Sequence, residues 1–449
     1  MSSRPECGGL RSGWHAKTGR EIRASRLDGL TQVNDEPFPA GEAAVIMNAV
    51  MSGCPHREKA ASAAALLIAE PFRVFFPVAT LVGIAGVTLW PLHFGGWFDT
   101  YPGTIHARLM THGFFLGFIA GFLGTALPRL LGVGGLGASW LLVWLGVHLS
   151  MTAAYLAGQV AVGDLAALVL LCSMLLFVLL HLPRRTDLPP PGFVLAGLGL
   201  LCGTAGVGMS LAGFDPEIQF FPVQLQRLLS YQGLVLLPVL GVGGFILPRF
   251  FGLPSADDLP ESRTPSASWV GRAWLAAGAG LLIIVSFILE AGGLVRSAYV
   301  VRFLVAGAWL WRQVPWHRQL SPGVTVSRVL KTGLSLVWIG LGAVAFLPAW
   351  KVGLLHIVFV GGLAVVTFVV ATRVVYGHGG SPHRLLQRNR WLWVAWGLMI
   401  LGMASRVSGD FMPRIMESHY LYGAWCWIAG VLVWAAYVLP RVLAPPRDS

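Results

Sequence analysis

From Phe72 onward the chain alternates long apolar runs with short polar breaks. Twelve runs lie near 72–92, 106–127, 138–159, 161–182, 193–213, 227–247, 270–290, 295–313, 331–350, 353–373, 391–410 and 420–440. Each is close to the roughly 20 residues that an α-helix needs to cross a hydrocarbon layer about 30 Å thick. The pattern predicts an all-α, polytopic membrane protein of about twelve transmembrane helices, forming one domain over 70–440. Spans three and four are separated only by the stretch Gly158 to Gly163, which predicts a tight hairpin. Residues 1–69 contain no such run. They carry Arg4, Arg11, Lys17, Arg20, Arg23, Arg26, Arg57 and Lys59, and read as a disordered basic cytoplasmic arm, not a secretory signal. Met47 or Met51 is an expected alternative start. Residues 441–449 read as a short cytoplasmic tail.

Composition agrees. Of 449 residues, 55% are hydrophobic and 12% charged, where a soluble domain carries about 25% charged. The net charge of +12 does not point to nucleic acid, because the basic residues gather in the arm and in alternate loops. The loops after even-numbered spans hold Arg129; Arg184 and Arg185; Arg249 and Arg263; Arg312, Arg318, Arg328 and Lys331; and Arg373, Arg384, Arg388 and Arg390. That bias predicts that both termini face the cytoplasm. The five cysteines form no Cys-x-x-Cys pair, so neither a disulfide framework nor a thiolate metal site is suggested.

Span two echoes span six. "HARLMTHGFFLGFIAGFLGTALPRLLG" from His106 aligns without gaps to "QRLLSYQGLVLLPVLGVGGFILPRFFG" from Gln226, and nine of 27 positions match, among them Gly113/Gly233, Pro128/Pro248 and Arg129/Arg249. The echo predicts a parallel internal repeat of spans two and six. His106 and His112 become Gln226 and Gln232 in the second copy, so the scaffold recurs without its chemistry.

Ionisable groups inside such spans are costly and mark function by default. Odd spans run outward and even spans inward, which places His93, His106, His112, His356 and His419 in the outer half, with Glu290, Arg296, Arg406 and Asp410. His148 falls in the middle of span three, and Arg302 one and a half turns into span eight. His93 and His419, at the boundary, also suit solvated interfacial histidines, and His148 also suits a histidine bonded to a carbonyl. Residues 106 and 112 are about 120° apart around a helix. Arg108 shares a face with His112, and His106 shares one with Met110. Gly113, Gly117 and Gly121 recur every four residues and let a neighbouring backbone approach. Span two is therefore expected to be central.

A proton-coupled carrier needs carboxylates deep in the bundle, and these spans hold almost none. Neutral imidazole is the commonest metal ligand and a usual axial ligand of haem, and arginines pair with propionates. Histidines on several spans favour haem, copper or both. Without Cys-x-x-Cys-His any haem is non-covalent. A haem–copper oxidase subunit needs an adjacent His-His pair, which no span contains. A secondary transporter built on the repeated bundle is the alternative.

Four segments resemble the NnrS family: "EPFRVFF", "IHARLMTHGFFLGFIAGFLGTALPRLLG", "LLHIVFVGGLAVVTFVVATRVVYGHGG" and "YGAWCWIAGVLVWAAYVLP". The resemblance covers roughly Glu70 to Pro440. It implies a twelve-span protein of the bacterial inner membrane that contains haem and copper and acts in nitric-oxide metabolism and resistance to nitrosative stress. The family's first motif, His-Ala-His-Glu-Met, stands here as His106-Ala107-Arg108-Leu109-Met110, so His112 is expected to replace the missing second histidine. His356, Arg373 and the pair Gly377-His378 match the span-ten pattern, while the other cytoplasmic-side histidines, His181, His317 and His383, read as loop residues. The expected ligands to haem or copper are His106, His112 and His356, with His148 and His419 in reserve, and Arg302 and Arg406 facing propionates or an anion. The expected partners are the lipid bilayer and nitric oxide or a related small ligand.

Overall fold

The structure, a computed structural model, describes residues 63–314 and 324–444. The expected arm up to residue 62, His317, Arg318 and the tail beyond 444 lie outside the described residues. All regular elements among the described residues are helical. After a short helix, Ala63–Ala69, twelve long segments follow: α1 Phe72–Phe94, α2 Gly103–Leu130, α3 Ala138–Leu156, α4 Val160–His181, α5 Phe193–Leu211, α6 Phe220–Phe251, α7 Ala267–Ala291, α8 Val295–Gln313, α9 Thr325–Phe346, α10 Pro348–His378, α11 Arg390–Phe411 and α12 Pro413–Arg441. Eleven helices among the described residues are long and apolar enough to cross a membrane. The exception is α8, whose Arg296, Arg302 and Arg312 make it too polar although it is a full 19-residue helix. The hairpin of α3 and α4 turns at Gly158, whose φ of 75° suits a residue without Cβ.

Burial separates central from peripheral helices. In α2, 78% of the apolar window is buried within the protein, against 28% in α4. Two hydrophobic clusters meet on α2. Phe114, Phe115 and Phe118 join the larger one with α6 and α9 to α12, and Leu109, Leu116 and Leu123 join the one that includes α3 and α4. The glycine stripe explains the close approach of α1. A Cβ at Gly117 would stand 2.8 Å from Ala79 Cβ, and one at Gly121 would stand 2.8 Å from Phe75 Cβ. Either would force the helices apart.

The hydropathy pattern gave no sign of one feature. In α2, α6 and α10 a short α-helical start passes into a π-helical turn before the α-helix resumes; the turns are Leu109–Phe115, Leu228–Gly233 and Ile357–Ala364. Such turns shift side-chain angles relative to a uniform α-helix and gather at functional sites. The second, sixth and tenth segments carry them, each just after or around the polar head of its helix.

Candidate functional site

The histidines at one end of the bundle separate into a pair and a set of individuals. His106, on the first turns of α2, bonds through Nδ1 to the Gly86 carbonyl at 3.0 Å. His356, at the head of α10, bonds through Nδ1 to the Val352 carbonyl at 2.8 Å. A carbonyl oxygen only accepts, so each Nδ1 carries the proton and each Nε2 keeps a lone pair. Both rings are half-buried, surrounded by protein while part of their surface stays open. They lie within electrostatic reach of each other and of Arg406 on α11.

The walls around this pair are ordered. Trp90 of α1 meets His106 edge-to-face at 5.7 Å and Tyr420 of α12 at 6.0 Å. Arg406 holds Asp410 at 2.5 Å and stacks 3.8 Å over the Tyr420 ring, whose hydroxyl donates to Asp410. Met110, one turn below His106, rests on Gly86 as the helical spacing predicted: a Cβ there would be 3.3 Å from the thioether sulfur. Three helices, α2, α10 and α11, thus supply two free imidazole nitrogens and one guanidinium.

His112 faces another way. Its Nδ1 lies 3.0 Å from the Tyr155 hydroxyl of α3, and that hydroxyl donates to Asp164 of α4 at 2.8 Å. Arg108 clamps both oxygens of Asp164 at 2.8 and 2.9 Å and donates to Tyr231 and Ser210. Arg108 therefore fixes Asp164 as an acceptor, Asp164 fixes the Tyr155 proton, and His112 is left with Nδ1–H and a bare, buried Nε2 beside the Ser230 backbone. Arg108 and His112 share a face, as expected, but that face meets α3, α4 and α6, whereas His106 turns to α1 and α10. The sequence pattern singled out neither Asp164 nor Tyr155. Their separation from Arg108 and His112 along the chain hid the network.

The expected role of Arg302 is occupied from within. Its side chain is fully buried, 2.6 Å from Glu290 of α7, and donates to Ser286 Oγ, the Ser286 carbonyl and Gln232 of α6. The Phe287 and Tyr299 rings flank it at 4.6 and 4.3 Å. Lys351 meets the other Glu290 oxygen at 3.0 Å. Every side of the guanidinium is engaged, and neither His106 nor His356 is among its partners.

His148 is completely buried, with both ring nitrogens unpartnered, against Gly117 and the edge of Phe75. His419 bonds to Ser408 Oγ of α11 at 2.8 Å. At the opposite end of the bundle His378 is more than a loop residue. It closes α10 and donates through Nδ1 to Glu70 at 2.5 Å, and Arg129 reaches the same carboxyl oxygen at 2.7 Å. Arg73 holds the second oxygen and reaches the Val442 and Ala444 carbonyls. Burial would raise the Glu70 carboxyl, but the His378 hydrogen bond and the Arg129 and Arg73 cations outweigh it and hold the group at about 2.

Comparison with known families decides the kinship. The model of the NnrS protein family matches residues 66–447. The chain belongs to the NnrS family. No curated protein matches the sequence. NnrS membership makes the chain a multi-pass membrane protein connected with nitric oxide. It also shows that the four resembling segments belong to one continuous match.

Proposed function

We propose that this NnrS-family protein holds a haem between His106 and His356 in the inner membrane of a bacterium, both termini in the cytoplasm, and binds or processes nitric oxide there in defence against nitrosative stress. Haem and copper are the cofactors that the family implies. A haem would need imidazoles with bare nitrogens to hold it and a cation for its propionates, and His106, His356 and Arg406 would supply them. Copper finds no comparable set, because among the described residues no group of three or more His, Cys, Asp and Glu side chains could hold a metal ion. The observation that carries the reading is the matched tautomer of the two half-buried rings, each tied at Nδ1 to a carbonyl and free at Nε2.

A bound haem supplies one-electron redox chemistry and an iron centre that takes small diatomic ligands. The protein's own part is to aim and protect. The Gly86 and Val352 carbonyls fix the orientation and the tautomer of each imidazole. Arg406 already has Asp410 and Tyr420 as partners, so it is held in place before any propionate arrives. Trp90, backed by Tyr420, lines one side of His106 with aromatic rings. The test is an absorption spectrum of the purified full-length protein, oxidised and reduced, with and without nitric oxide. A Soret band that shifts on adding nitric oxide supports the reading. A colourless protein that gains no band when supplied with haem rejects it.

A further inference from the structure

The arginine-rich end of the bundle holds a groove that the histidine site does not use. An open hollow of about 380 Å³ lies where α11 begins, lined by Arg388, Arg390, Trp391, Trp393 and Tyr437, with Gln387 and Asn389 at its base. Asn389 caps the 22-residue α11, accepting from the Trp391 and Leu392 amides at 3.0 and 3.1 Å. Its own amide donates to Thr325 at 2.8 Å, which ties the base to α9. The positive end of the helix dipole therefore opens beside two guanidiniums. Neither Arg388 nor Arg390 has a carboxylate partner among the described residues, and Arg390 lies 5.3 Å over the Trp391 ring. Residues 376–394 and 437–444 contain no acidic side chain.

A second observation lies beside the hollow. Tyr437 packs against Tyr376, with ring centroids 6.3 Å apart. Tyr376 is 1% exposed, and its hydroxyl makes no hydrogen bond of normal geometry although the Tyr437 hydroxyl is close. Arg384 and Arg441, also without carboxylate partners among the described residues, lie within electrostatic reach of that hydroxyl. Trp391 and Trp393 are 48% and 42% exposed, as tryptophans are where acyl chains give way to headgroups.

We propose that this groove binds the phosphodiester headgroup of an anionic lipid from the adjoining leaflet. Arg388 and Arg390 pair with the phosphate, the α11 amides add to the attraction, and Trp391 and Trp393 lie along the upper acyl chains. A free phosphate satisfies the cations and leaves the tryptophans without a role, so the lipid accounts for more of the site. This proposal is independent of the haem.

The test is native mass spectrometry of the full-length protein released from detergent, with phosphatidylglycerol, phosphatidylcholine or inorganic phosphate added separately. Phosphatidylglycerol is expected to be retained in preference to phosphatidylcholine. The double variant Arg388→Gln/Arg390→Gln is expected to bind it on the order of 30-fold more weakly, from the usual contribution of one surface arginine taken twice. Arg388→Lys/Arg390→Lys restores most of the binding, and Arg296→Gln at the opposite end changes nothing. Equal retention of the two lipids overturns the proposal, and so does an unchanged double variant. Displacement of the lipid by inorganic phosphate alone assigns the groove to free phosphate and also overturns it.

Discussion

The heads of α2 and α6 share a form and differ in what they leave open. In α2 the polar residues before and within the π turn end in lone pairs. His106 gives its proton to a carbonyl and presents Nε2, and His112 does the same towards Tyr155. In α6 the corresponding Gln232 gives its amide to Tyr299 and its oxygen to Arg302, whose remaining donors meet Ser286 and Glu290. Both regions are polar, buried and built from several helices. The first leaves imidazole nitrogens unpaired, whereas in the second the unpaired atom is the Gln226 amide oxygen. Intramembrane charge on its own therefore does not mark a ligand site, and unpaired imidazole nitrogens are the better guide.

The comparison breaks most sharply at the pair itself. His106→Ala and His356→Ala are each expected to lower haem per protein by roughly tenfold or more, since outer-shell changes alone cost about 10–100-fold in metal-site affinity; pigment and protein measured on one gel-filtration peak check this. Arg302→Ala is expected to act on stability instead. It leaves the buried Glu290 with Lys351 as its one remaining cation and costs about 3 kcal/mol, read as a lower unfolding temperature in detergent. The surviving folded fraction keeps its haem. If Arg302→Ala removes haem while fold is retained, the distinction between the two regions is wrong.

The Glu70 cluster extends the contrast to a third region, where satisfied charge meets the aqueous boundary. Its carboxyl is held at about 2, below the ordinary 4.5. The cluster's contribution is therefore complete above about pH 4.5 and fades as the pH falls from there towards 2. Two and a half units correspond to about 3 kcal/mol. Glu70→Gln is expected to flatten that acid-side loss, seen in unfolding temperatures across the same window. Tyr155→Phe should do least to stability, about 1–2 kcal/mol. It frees the His112 tautomer while leaving the haem band of the His106–His356 pair in place. A changed haem band in this variant would join the two imidazole regions that the structure keeps apart.

Hydropathy made the helices legible because crossing a bilayer imposes a length and a composition that few other constraints mimic, and α8 alone keeps the length while departing from the composition. The glycine stripe of α2 was readable for the same reason: spacing by four residues has one geometric meaning on a helix. Partnership was not readable. Arg302 looked free because Glu290 and Gln232 lie on other helices, and the ion pair of His378 was hidden because Glu70 is 308 positions away. The π turns were invisible as well, since they change backbone pairing without a residue signature of their own. His106 and His356 stood out because topology brought both to one end, but only the carbonyls at Gly86 and Val352 fix which ring nitrogen is free.

The most direct measurement is the reduced-minus-oxidised absorption spectrum of the full-length protein beside His356→Gly, each with and without added imidazole. The account predicts a haem spectrum in the parent, its loss in the variant, and its return when imidazole is added. A variant whose spectrum matches the parent without imidazole would contradict a haem held between α2 and α10.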